Sequence, residues 1–225
     1  MFLNVLAEGY TEQKFAETLL ASHLASKNIF VRARCVKTRQ DDKRGRIYRG
    51  GISSYTKVRN DLHQWLKECS SSDFRFTTMF DYYALPRDFP GFEQAQKLNS
   101  IFDKVHFLEE EFRKDVEDWR FVPYIQVHEF ESLLFVEPKC LSKIYFDEEA
   151  VAVLESVATA FGNPELIDNG RETAPSKRIL DVIPDYNKVA AGVDSLKQVG
   201  IEKLMAKCSH FAEWVGKIEG KFYDL

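Results

Sequence analysis

Residues 1–15, MFLNVLAEGYTEQKF, decide how the chain folds: an apolar run ends in a carboxylate, Glu8, and a helical pattern starts three residues later. Residues 2–7, FLNVLA, have the length and apolar character of a buried strand. From Thr11 onward, Phe15, Leu19, Leu20 and Leu24 recur at helical spacing, with Thr11 the expected N-cap and acids in the first turn. A buried strand running straight into an amphipathic helix is the opening of an α/β sheet. Glu8 then stands at the strand's carboxyl end, the edge where open parallel sheets bind ligands.

The same rhythm continues. IFVRARCV (29–36) alternates like a strand, and SSYTKVRNDLHQWLKEC (53–69) is a helix with Val58, Leu62, Trp65 and Leu66 on one side. FRFTTMF (74–80) is a third strand, residues 92–117 read as one long helix, FVPYIQV (121–127) is a fourth strand, and FESLLF (130–135) turns helical. Strands separated by helices predict an α/β, Rossmann-like, mainly parallel sheet of about four strands, flanked by helices and joined by right-handed crossovers. From about residue 138 the strand signals fade, and helices interrupted by GNPE (162–165), ETAPS (172–176) and PDYNK (184–188) take over. The expected organisation is an α/β domain over 1–137 with a C-terminal helical extension, 138–225, packed on it.

The composition narrows the class. With 225 residues, 44% of them hydrophobic and 18 phenylalanines, the chain can bury a sizeable core and is not disordered. No window approaches the roughly 20 apolar residues of a membrane span, and the N-terminus lacks a signal-peptide pattern, so a cytoplasmic protein with no membrane partner is expected. Cys35, Cys69, Cys140 and Cys208 form no CxxC pair, which argues against a zinc knuckle or a disulfide framework. The net charge is −4, yet KTRQDDKRGRIYRGG (37–51) holds six cations against two acids. Such a basic loop on an acidic body suits the capture of a polyanion.

Three predicted strands end in acids: Glu8, Asp81, and Glu129 with Glu131 two residues on. Each has a plain structural use, Glu8 near the start of the following helix and Asp81 in the DYYALP turn. Together they crowd like charges at one edge, which a divalent cation relieves; Mg²⁺ accepts one or two carboxylates alongside water and phosphate oxygens. Phe130, Leu133 and Leu134 mark a helical face, which places the strand-to-helix boundary near Glu129 and favours Glu129 over Glu131 as a ligand. HEFES (128–132) is not a zinc-protease motif, because Ser132 stands where HExxH needs histidine. No GxGxxG or GxxxxGK[ST] sequence is present to cradle a nucleotide.

LAEGYTE (6–12), DYYALPRDFPG (81–91), PYIQVHEFESLLF (123–135) and APSKRI (174–179), in this order, resemble a family of bacterial Toprim-like proteins often encoded beside an ABC-type ATPase. That family is related to the Toprim domain of OLD-family nucleases, and the resemblance covers about residues 1–190. It implies that Glu8 is the Toprim glutamate and Asp81 the first aspartate of its DxD motif. The pattern breaks at Tyr83, a poor Mg²⁺ ligand, so Asp88 or the Glu129/Glu131 pair is expected to complete the metal set.

The implied activity is Mg²⁺- or Mn²⁺-dependent cleavage of DNA or RNA by the effector subunit of an ATPase-associated defence or repair system. Glu8, Asp81 and Glu129 would hold metal, with Asp88 or Glu131 serving a second ion or the attacking water. Lys177 or Arg178, at a helix start near Pro175, would stabilise phosphate. Lys37, Arg39, Lys43, Arg44, Arg46 and Arg49 would dock the backbone, and Tyr48, Tyr55, Tyr82 and Tyr83 are candidates for stacking. The alternative is a catalytically inactive Toprim-like adaptor for the ATPase. Self-association into a homo-oligomer is left open.

Overall fold

Residues 1–41, 46–49, 52–168, 170 and 172–220 are described by the computed structural model. They divide into two units, Met1–Ile125 and Gln126–Leu225. In the first, β1 (Phe2–Ala7) leads through α1 (Tyr10–Phe15), a π-helical turn over Ala16–Leu20 and α2 (Ala21–Ala25) to β2 (Phe30–Cys35). The helix starts two residues earlier than Thr11 capping predicts: Gly9 is the N-cap, and the Glu12 carboxylate accepts the Gly9 N–H at 3.0 Å.

The basic stretch predicted to be a loop contains a hairpin, β3 (Lys37–Asp41) paired antiparallel with β4 (Arg46–Arg49). Pairing gives its main-chain N–H and C=O groups partners that an open loop would leave to water. Then come α3 (Tyr55–Glu68), β5 (Phe74–Asp81), a 3₁₀ turn over Tyr82–Ala84, α4 (Phe92–Ala95), α5 (Ile101–Val116), β6 (Phe121–Val122) and β7 (Ile125–Gln126). The helix expected over 92–117 is thus two helices, the second started by the Ser100 hydroxyl, which accepts the Asp103 N–H.

The sheet has five strands in the order β2-β1-β5-β6, with β7 also on β5, and its β1–β2, β1–β5 and β5–β6 pairs are parallel. Because β1 lies between two strands, Leu3, Val5, Leu6 and Ala7 are buried, which explains the unbroken apolar run. The predicted fourth strand is split at Pro123, which has no N–H to give to a ladder. The Thr78 hydroxyl bridges the gap, donating to the Tyr124 carbonyl at 2.9 Å and accepting the Tyr124 N–H at 3.0 Å. Arg120 seats β6 by binding Asp118 and donating to the Cys69 carbonyl at 2.6 Å.

The second unit is helical, as the fading strand signals predicted. 3₁₀ segments at Phe130–Val136 and Pro138–Leu141 precede α6 (Ser142–Tyr145) and α7 (Glu148–Phe161). A further 3₁₀ turn, Pro164–Leu166, leads to α8 (Pro175–Val182), a π-helical turn over Lys188–Gly192, α9 (Val193–Val199), α10 (Ile201–Lys207) and α11 (Ser209–Gly220). Leu133, Leu141, Leu154, Ile179, Leu196, Leu204, Phe211 and Trp214 form its core. Glu165, fully buried, accepts the N–H groups of His210 and Phe211 at 3.0 and 2.9 Å and so caps α11.

Candidate functional site

Parallel pairing brings the first two candidate acids together. The ladder aligns Ala7 with Met79 and continues as the Glu8 N–H donates to the Met79 carbonyl at 3.0 Å, while β5 runs on to Asp81. The Asp81 N–H then donates to Glu8 Oε2 at 3.1 Å. Two carboxylates therefore end neighbouring strands, which in any sheet lie about 4.8 Å apart. Glu8 is half-buried, and Asp81 is 1% exposed.

Asp88 belongs to the same unit, and both its oxygens accept the Tyr55 N–H, at 3.0 and 3.1 Å, at the start of α3. That neutralises an unpaired helix-terminal donor. Tyr55 itself is buried and donates to Asp115 at 2.5 Å, so its ring belongs to the core. Tyr82 is half-buried and accepts from Gln96 at 3.1 Å, whereas Tyr83 is exposed. Lys37, the first residue of β3, is exposed. Arg39, Arg46, Tyr48 and Arg49 are placed only as backbone in the hairpin, and Lys43 and Arg44 lie outside the described residues.

The other candidate acids sit in the second unit. Glu129 immediately precedes the Phe130–Val136 segment, and His128 before it has a left-handed backbone, φ 60°. That conformation is strained for a side chain of this size. The Glu129 carboxylate faces the first turn of α8, accepting the Ser176 N–H at 2.8 Å and the Ser176 hydroxyl at 3.0 Å. The helix start read as a phosphate site from APSKRI therefore exists, and its first-turn amide at Ser176 donates to Glu129. Lys177 beside it is exposed. Arg178 donates to the Thr173 carbonyl at 2.7 Å and lies over the Phe161 ring at 5.5 Å. Glu131 is buried and pairs with Lys188 at 3.1 Å; burial pushes its carboxyl above the ordinary value, with the Lys188 ammonium acting against the rise.

A family model described as a domain of unknown function, DUF4276, matches residues 7–219. The chain belongs to the DUF4276 family. No curated protein and no solved structure matches it. In this DUF4276 chain every candidate acid, Glu8, Asp81, Asp88, Glu129 and Glu131, falls within the matched span.

Two residues at the DUF4276 strand ends escape the sequence reading. Glu12, buried, is more than a first-turn acid: it holds the turn that carries Glu8. Its spacing of three from Gly9 is that of the return half of a capping box, the half that a glycine N-cap permits. Tyr10 is exposed at the start of α1, next but one to Glu8. No pattern in the sequence marks it, because exposure of a first-turn residue depends on how the helix lies on the sheet.

Proposed function

We propose that this DUF4276 protein is a metal-dependent nuclease that cleaves phosphodiester bonds of DNA or RNA as the effector subunit of an ATPase-associated defence or repair system. One observation carries the reading: Asp81 donates its N–H to the Glu8 carboxylate at 3.1 Å, where two parallel strands end side by side. This is the edge at which open α/β sheets take their ligands. Hard carboxylate oxygens fit Mg²⁺ or Mn²⁺, and the crowding of like charges favours a cation between them.

Glu8 and Asp81 would hold the ion. Bound there, it would neutralise the phosphoryl oxygens and support the leaving oxygen. The chain's own groups supply position and field. Glu12 pins the Gly9 N–H and so fixes the turn carrying Glu8. Lys37 and Arg87, exposed after β2 and β5, attract the phosphate backbone, and the net positive 37–51 stretch extends that attraction in a salt-dependent, sequence-independent way. Lys177 is a further exposed cation. With no GxGxxG or GxxxxGK[ST] sequence present, ATP turnover falls to an ABC-type ATPase partner, which the Toprim-like resemblance implies.

One observation favours a second reading, a catalytically inactive adaptor for that ATPase. Tyr83 replaces the second DxD carboxylate, and Asp88 and Glu129 are hydrogen-bonded to Tyr55 and Ser176. The test is Mn²⁺-dependent nicking of supercoiled plasmid and cleavage of a structured RNA, with Glu8→Gln and Asp81→Asn as controls. Activity lost in both variants supports the nuclease. Activity that survives them removes the acid pair from the mechanism, and an inert wild type showing no calorimetric Mn²⁺ site favours the adaptor.

A further inference from the structure

We propose that a cavity in the first unit, between β1, β2 and α3, is a binding site for guanine, carried either by a free nucleotide or by a nucleic-acid strand. The site stands apart from hydrolysis at Glu8 and Asp81 and does not depend on it.

The cavity measures about 220 Å³, with Leu6 and Cys35 as its floor and Asp61, Gln64, Trp65 and Glu68 of α3 as one wall. Leu6 and Trp65 are each 2% exposed, so the interior offers apolar surface, while the exposed side chains of Gln64 and Glu68 leave the wall open to solvent. Sites for drug-sized ligands run to about 300–1,000 Å³. This one is smaller, which suits a single heterocyclic base with its sugar and phosphate outside.

The polar groups gather at two ends of the α3 wall. At one end Arg34 donates to Glu68 at 2.7 Å, with its guanidinium carbon 4.3 Å from the centre of the Trp65 ring. The Gln64 amide donates to the other Glu68 oxygen at 3.0 Å. The Arg34–Glu68 bond takes one of the five N–H groups of a guanidinium, so donors remain there. At the other end Asp61 accepts the Lys37 N–H at 2.7 Å. That bond fills one of about four lone-pair sites on a carboxylate, so acceptors remain here. Asp61 and Glu68 are two helical turns apart, about 10.5 Å along the axis, a span that takes one purine with a hydrogen bond at either end.

Donors at one end and acceptors at the other select the base. Guanine presents O6 and N7 to arginine, the commonest specific base contact, and an N2 amino group as donor. Its N1–H lies beside that amino group, so a carboxylate accepts from both. Adenine puts an amino group where guanine has O6, setting donor against the Arg34 donors. Uracil and thymine carry no amino group for Asp61, and cytosine, with one ring, falls short of the span. Lys37 lines the cavity and is exposed, a cation for the phosphate outside.

The experiment is calorimetric titration of the full chain in EDTA with GMP, AMP and xanthosine monophosphate, and with oligothymidylate bearing no guanine or one central guanine. GMP should bind about 5- to 150-fold more tightly than AMP. Asp61→Asn still accepts the Lys37 N–H but turns one acceptor into a donor; it should lose GMP by a similar factor and gain xanthosine monophosphate, whose C2 carbonyl replaces the amino group. Such an exchange of preference does not arise from misfolding. Arg34→Gln should weaken GMP and leave the circular dichroism spectrum unchanged. Tighter binding of the guanine-bearing strand than of GMP identifies a strand as the source, and GMP bound as tightly as that strand identifies a free nucleotide. Equal affinity for GMP and AMP, no binding of any probe, unaltered GMP binding in either variant, or an Asp61→Asn protein that loses GMP without gaining xanthosine monophosphate would each overturn the proposal.

Discussion

Glu129 grips the start of α8 with both carboxylate oxygens, one on the Ser176 N–H at 2.8 Å and the other on the Ser176 hydroxyl at 3.0 Å. An acid at a helix N-terminus satisfies an otherwise unpaired donor and complements the helix dipole. With Glu129 only 4% exposed, water cannot readily replace what a truncation removes.

Glu129→Ala should therefore cost about 3 kcal/mol in urea unfolding, and Ser176→Ala, which keeps the N–H bond, about 1 kcal/mol. The double mutant should show a coupling term, since the two share one contact. Glu129→Gln can still accept from Ser176 and should leave Mn²⁺ affinity unchanged. A large drop in that affinity would return Glu129 to the ligand set.

Burial, opposed by the Lys188 ammonium, holds the Glu131 carboxyl above its ordinary 4.5. Between the unfolded and folded values the folded chain binds more protons, so this group's contribution to stability falls as pH rises through that window. Lys188→Met leaves a buried carboxylate without its cation; about 3 kcal/mol should be lost near neutral pH and partly regained on acidification. Adding Glu131→Gln should flatten that pH dependence, measured as denaturation midpoints across a pH series.

Metal should stabilise the wild type and spare the variants. At about 100 times Kd, binding to the folded state alone adds about 2.7 kcal/mol, readable as a Tm rise with Mn²⁺ that chelation reverses. Glu8→Gln and Asp81→Asn should each abolish the rise. In chelator, Asp81→Asn should be no less stable than the wild type, because it removes one of two crowded negative charges.

Asn4 is fully buried in β1, and among the described residues its side-chain amide meets no hydrogen-bond partner. An unsatisfied buried amide is costly, so Asn4→Val, which suits a strand and carries no polar group, should raise stability by about 1–2 kcal/mol. A loss on the same scale would show that the amide is bonded to water inside the sheet.

The parts of this molecule legible in its sequence are those set by local pattern. β1 reads as a strand because a position between two others buries both its faces, and the place of Glu8 at the sheet's carboxyl edge follows because it ends that run. Pro123 announces a break in the fourth strand, but the Thr78 hydroxyl that spans it is 46 residues from Tyr124. The Glu129 carboxylate reads equally well as a ligand, since Ser176 lies 47 residues further along. Asp88 is the same case, its partner Tyr55 belonging to another element. Acids are visible in a sequence, and the donors that engage them are not.

The tie between Glu8 and Asp81 uses the side chain of one residue and the peptide group of the other. Every amino acid except proline offers that donor. Position 81 can therefore lose its acid without releasing Glu8 from its orientation. The proposed hydrolytic chemistry could vanish in one codon change while the scaffold, and any docking role it performs, is inherited intact.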